Sequence, residues 1–184
     1  QAIGGNSLIQ AGGDAALIRI EEDDGTRKRA IALSVDSNSL YVSQEAYLGS
    51  VQTVAEAMRN ISATGAKPIA VAHSANFGDP NDYKEISDLA ESIRGLSDAC
   101  RIWKIPVISD HVSLFNGSLA NPIMPTPAVA MIGVLEDINK ATPAYFKNKG
   151  DRILLLGQTK SEIGCSEYTN YCHQGVNSDV PDID

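Results

Sequence analysis

Seven residues carry the chemistry that this chain can offer: Asp36, Asn38, His73, Asn76, Asp110, His111 and Ser113. All lie at or just beyond the end of an apolar, partly β-branched run. Ala30-Ile-Ala-Leu-Ser-Val35 ends in Asp36-Ser-Asn-Ser39, and Pro68-Ile-Ala-Val-Ala72 ends in His73-Ser74 and Asn76. Ile105-Pro-Val-Ile108 stops at Ser109-Asp110-His111, before Val112-Ser-Leu-Phe-Asn116. Runs of this length and type fit buried strands. Strands that each end in oxygen and imidazole donors deliver them to one border of a sheet, where ligands gather. The structural alternatives are a polar turn at Asp36 and Asn38, and hydrogen-bonded strand-end histidines at His73 and His111. A transition-metal site of both imidazoles with Asp36 or Asp110 would need a convergence that nothing in the spacing demands. Cys165, Cys172 and His173 lack a fourth ligand for zinc.

The elements that must position these residues follow from periodicity. Over 49–64, Val51, Val54, Ala55, Met58, Ile61 and Ser62 recur at three and four, the stripe of a helix stopped by Gly65. A longer helix opens at Asp82, with Glu85 three residues on, and runs through Ile86, Leu89, Ile93, Leu96, Cys100 and Trp103. Further strands are expected over 15–20, 128–135 and 152–157, with a polar turn over 21–28 and a glycine-rich arm before residue 15. Pro122, Pro125 and Pro127 exclude a central ladder position, so the 122–127 segment reads as an extended entry to an edge or bulge. The sum is an α/β (α+β) fold, a mixed sheet with two long helices on one face.

The net charge of −8 excludes a nucleic-acid binder, which needs a basic face. No apolar run reaches the roughly 20 residues of a membrane span. No signal peptide is visible, and a start at Gln1 reads as an internal piece of a longer chain. Three cysteines at unhelpful spacing read as reduced thiols in a cytoplasmic protein. The late strand over 152–157, with nothing after it to cover it, divides the chain into a domain over 1–137 and a linker with the start of a second domain over 138–184.

Five stretches together resemble a known family. They are Ser34-Val-Asp-Ser-Asn-Ser-Leu-Tyr41, Val54-Ala-Glu-Ala-Met-Arg-Asn-Ile-Ser-Ala-Thr-Gly-Ala-Lys-Pro68, Asn76-Phe-Gly-Asp-Pro80, Pro106-Val-Ile-Ser-Asp-His-Val-Ser-Leu-Phe-Asn116 and Pro125-Thr-Pro-Ala-Val-Ala-Met-Ile-Gly-Val-Leu-Glu-Asp137. They look like the second half of the phosphoribosylformylglycinamidine synthase family, within the aminoimidazole ribonucleotide synthetase-like superfamily. The resemblance implies an N-terminal domain that forms a half-barrel, closed by the first half of the same synthetase, followed by a C-terminal domain. It implies ATP, Mg²⁺ and ammonia from a glutaminase domain or subunit, turning formylglycinamide ribonucleotide into its amidine. On that map Asp36, Asn38, His73, Asn76 and Asp110 bind nucleotide, Ser113 binds substrate and His111 takes the metal position. No catalytic residue is expected here, since the group that transfers protons lies in the other half. Hard oxygens at Asp36, Asn38, Asn76 and Asp110 suit Mg²⁺, and Gly78 and Gly164 suit close approach to a ligand.

The departures are equally specific. His73 replaces a family aspartate, Ser109-Asp110-His111 replaces Gly-Gly-Asn, and Leu40 stands where an arginine is usual. Imidazole is a poor Mg²⁺ ligand, and a carboxylate at Asp110 opposes phosphate. The alternative reading is therefore a non-catalytic scaffold that closes the barrel. The isolated chain is expected to be inactive as a ligase and to self-associate through its exposed sheet face.

Overall fold

The apolar runs pair into one five-stranded sheet. Its strands are β1 (Ala16–Glu21), β2 (Lys28–Asp36), β3 (Lys67–Asn76), β4 (Val107–Ser113) and β5 (Thr126–Leu135), in the order β1-β2-β5-β3-β4. In this computed structural model, residues 5–9, 12–21, 28–118, 121–173 and 179–183 are described. Within the expected turn and arm, residues 22–27, 1–4 and 10–11 lie outside them. The described part of the arm pairs with β1, Leu8 donating to the Leu17 carbonyl at 2.8 Å.

β5 runs antiparallel to both β2 and β3, and β3 is parallel to β4. The strands β2, β3 and β4 therefore point the same way and end on one border. They are not three direct neighbours, because β5 threads between β2 and β3. That placement overturns the edge expected from the prolines: β5 is central, and Pro127 lies within it, opposite Ala75. The ladder tolerates it because β2 has already ended, its last pair being Asp36 with Val129. The Pro127 carbonyl accepts from Ser37 Oγ at 2.9 Å, so its missing N–H also faces the side where no strand partner remains.

The helices α1 (Ser39–Gln44), α2 (Ala46–Ala63) and α3 (Tyr83–Trp103) follow. The short α1 escaped the periodicity. Asn38 starts it by accepting from the Tyr41 N–H at 3.1 Å, and extended backbone at Glu45 separates it from α2. As expected, Asp82 caps α3, accepting from Lys84 and Glu85. Alternation along the strands sends Leu17, Ala30, Ala32, Val71, Val129 and Met131 to one face, where they bury against Val54, Ala57, Ile61, Leu96 and Ala99 of α2 and α3. Each large apolar side chain so buried contributes about 1.5–3 kcal/mol. The other face is uncovered: Ile18, Leu33 and Val35 remain 41%, 38% and 74% exposed.

The strand expected over 152–157 does not form. Ile153 to Leu156 is 76–91% exposed and belongs to no strand, because an apolar run becomes a strand only beside a partner ladder. A helix α4 (Glu167–Cys172) follows, and the chain then returns to α2, where Gln52 Nε2 donates to the Pro181 carbonyl at 2.6 Å and Val180 is buried.

Candidate functional site

Strand register divides the seven sequence candidates. Asp36 pairs with Val129, Val129 with His73, and His73 with Asp110, so the three polar residues occupy one row on the helix-covered face. Asn76, His111 and Ser113 fall on the open face at the same border, since side chains alternate along a strand. His111 is thus separated from Asp36, His73 and Asp110 by the sheet itself, and the two imidazoles cannot share a metal ion.

Several candidates are engaged with one another. His73 is buried, and its Nδ1 lies 2.9 Å from Asp110 Oδ1, the side chains being 2% and 53% exposed. The substituted histidine and the substituted carboxylate therefore hold each other, and His73 Nε2 is buried without a partner. Asn38 spends its carbonyl oxygen on the α1 cap. Asn76 Nδ2 ties β3 to β5 through the Thr126 carbonyl at 3.1 Å. Ser113 Oγ donates to Asn116 Oδ1 at 3.2 Å, inside the turn after β4. The close approaches at Gly78 and Gly164 are to protein: the Gly78 N–H donates to Glu85 Oε2 at 2.9 Å, and a Cβ on Gly164 would meet the Asp179 carbonyl oxygen.

Asp36 is different. Its Oδ1 accepts from Asn60 Nδ2 of α2 at 2.6 Å, while Oδ2 is buried with no partner. Its partner Asn60 lines a cavity of about 770 Å³, together with Asn38, Tyr41, Gln52, Glu56 and Arg59, and with Leu156, Gly157 and residues 181–183. Burial pushes the Glu56 carboxyl up, the Asp36 charge pushes it further, and Arg59 opposes both. Burial likewise raises the Tyr41 phenol, helped by Cys165 and Glu56 and opposed by Arg59. A buried lone carboxylate oxygen beside a second carboxyl that resists ionisation is a place where a divalent cation would relieve two costs at once. Among the described residues no three His, Cys, Asp or Glu side chains gather closely enough to hold a metal alone. Mg²⁺ needs less, since it is commonly held by one or two carboxylates plus a ligand's phosphates. Asp36, Glu56 and Asn60 fit that requirement; His111 does not.

Glu56, Arg59 and Asn60 were missed because α2 was read only for its apolar stripe. The signal was present: polar residues at i, i+3 and i+4 share a helix face, and this one follows directly from a strand end bearing Asp36. A second cavity, about 470 Å³, is lined by Asp79, Asp82 and Glu85 at the start of α3 and by Phe115 to Ser118 after β4.

Residues 12–135, which hold the sheet and both long helices, match a family model, AIR synthase related protein, N-terminal domain. The chain belongs to that family. Its relatives are more specific. It is 44% identical over 179 residues to the phosphoribosylformylglycinamidine synthase subunit PurL of Caldanaerobacter subterraneus, and 45% identical over 178 residues to that of Alkaliphilus metalliredigens. Each match covers 97% of this chain and 24% of the relative, so the chain spans about a quarter of their length. Among solved structures, Thermotoga maritima PurL complexed with ATP aligns with a TM-score of 0.67 at 30% identity, covering 75% of this chain and 22% of that one. The same protein complexed with FGAR aligns with a TM-score of 0.67 at 29% identity, covering 76% and 22%.

Proposed function

We propose that this chain supplies a nucleotide-holding domain to a phosphoribosylformylglycinamidine synthase, which converts formylglycinamide ribonucleotide and glutamine-derived ammonia to the amidine at the expense of ATP. The observation that carries this reading is the buried, unpartnered Oδ2 of Asp36, whose other oxygen is bonded to Asn60 of the cavity lining. Asp36, Glu56 and Asn60 would hold Mg²⁺ there, and the ion would neutralise phosphate charge. Arg59 pairs with phosphate oxygens, and the amides of Asn38 and Gln52 fix the ligand's polar edge. The row from Asp36 to Asp110 frames the base of the site, with His73 orienting Asp110 by hydrogen bond. On the open face, Ser113 and Asn116 form the turn offered to substrate. The first half of the same synthetase covers the exposed apolar face and closes the barrel, and a glutaminase domain or subunit provides ammonia. Similarity to a PurL that has been complexed with ATP and with FGAR supports the assignment.

The reading is tested by calorimetry of the full-length protein with Mg·ADP. Asp36→Asn is expected to weaken one class of site at least about tenfold, or roughly 1.4 kcal/mol. Equal binding by wild type and Asp36→Asn would reject it. A scaffold with no ligand is the second reading, favoured by the mutual pairing of His73 with Asp110 and by the structural duties of Asn38 and Asn76. It predicts no Mg·ADP heat that depends on Asp36 or Glu56.

A further inference from the structure

We infer that the returning segment Asp179–Ile183 is a working wall of the α2 cavity and that Gly164 is the residue that positions it. The inference rests on the reading of that cavity as a nucleotide site. Three independent contacts seat the segment. Gln52, itself in the cavity lining, donates to the Pro181 carbonyl at 2.6 Å. Val180 is only 7% exposed, although it stands in a stretch without secondary structure. The backbone at Gly164 approaches the Asp179 carbonyl so closely that a Cβ there would lie 1.9 Å from its oxygen. That distance is far inside van der Waals contact, and the obstacle is backbone, so no rotamer change can relieve it.

Pro181, Asp182 and Ile183 then line the same cavity as Glu56 and Arg59. With this wall in place the cavity still measures about 770 Å³, room enough for a nucleotide, so the segment bounds the site and does not fill it. A protein wall at the cavity limits water around Arg59 and strengthens its pairing with phosphate. It also pre-organises Gln52, whose amide is held by Pro181 before any ligand arrives. Gly164 lies outside the cavity lining. Its substitution therefore displaces the wall without removing any group that would touch a ligand.

The test uses the intact protein, with Mg·ADP as the probe and hydrogen exchange as the local readout. Mg·ADP is expected to slow exchange of the amides at 180, 182 and 183 at least about threefold in wild type, a coupling that a merely structural tail would not show. Gly164→Ala is expected to raise the Mg·ADP Kd roughly five- to tenfold, with the protection at 179–183 lost. Val180→Ser, which loosens the same segment from a different contact, should act in the same direction and decides the matter if Gly164→Ala does not fold. Mg·ADP binding that leaves 179–183 unprotected, or that is unchanged in a folded loosened variant, overturns the wall and leaves the nucleotide reading standing. Absence of Mg·ADP binding at the Asp36 site in wild type overturns both.

Discussion

At the strand-end border, neighbouring residues of one strand part company. Asp110 turns to the helix-covered face and is held by buried His73, while His111 turns to the open face beside Ser113. On the covered side most polar groups are paired, and two atoms of the row are buried without a partner, Asp36 Oδ2 and His73 Nε2. On the open side the polar residues are exposed at β4 and give way to Val35 and Leu33 across the sheet. The contrast teaches that a Ser-Asp-His run, which the structure places inside β4 and not after it, is not one site. Period two splits it, and the two residues face different surroundings, buried His73 on one side and the open sheet face on the other.

The sharpest way to break this contrast is to delete one imidazole from each face. His73→Ala should cost about 2–4 kcal/mol in urea unfolding, since it leaves a cavity and strips Asp110 of its partner. His111→Ala should change stability by less than about 0.5 kcal/mol. Equal effects would mean that the faces are not distinct.

The open face is tested next. With Ile18, Leu33 and Val35 uncovered, the isolated chain should self-associate. Placing a charge there, Val35→Glu, should weaken association about tenfold by light scattering. A wild-type chain that stays monomeric at high concentration would remove this face as an interface.

The smallest expected effect lies under the helices. The folded protein holds the Glu56 proton more tightly than the unfolded chain does, so ionising Glu56 costs stability. The cost is absent in acid and grows as pH rises through the carboxylate range. Glu56→Gln should therefore raise Tm at pH 7 by about 1–3 °C and give no difference below about pH 4. Because Glu56 is partly exposed, solvent screening keeps this small. A Tm that falls at pH 7 would show that Glu56 is stabilising as the anion.

Much of the fold was legible because burial writes itself as periodicity: both long helices, β1 to β3 and β5 stand close to where their apolar patterns put them. The site was legible only by strand end. Asp36 stands out in the sequence because it terminates an apolar run, but its neighbours Glu56 and Asn60 come from a helix and meet it only through packing. Local pattern could not reveal which face Asp110 and His111 take, since that depends on register with β3. Nor could it show that Pro127 sits in the middle of the sheet, because the answer lies in where β2 ends. The 152–157 run misled for a related reason, as apolar content does not supply a ladder.

The place of β5 has a consequence for assembly. It is the last strand in sequence, yet it alone joins the β1–β2 pair to the β3–β4 pair. Until Leu135 has left the ribosome, these strands can form only two separate pairs, β1 with β2 and β3 with β4, each with unpaired edges. Folding then depends on one late insertion that closes long loops on both sides, the kind of non-local pairing that slows folding.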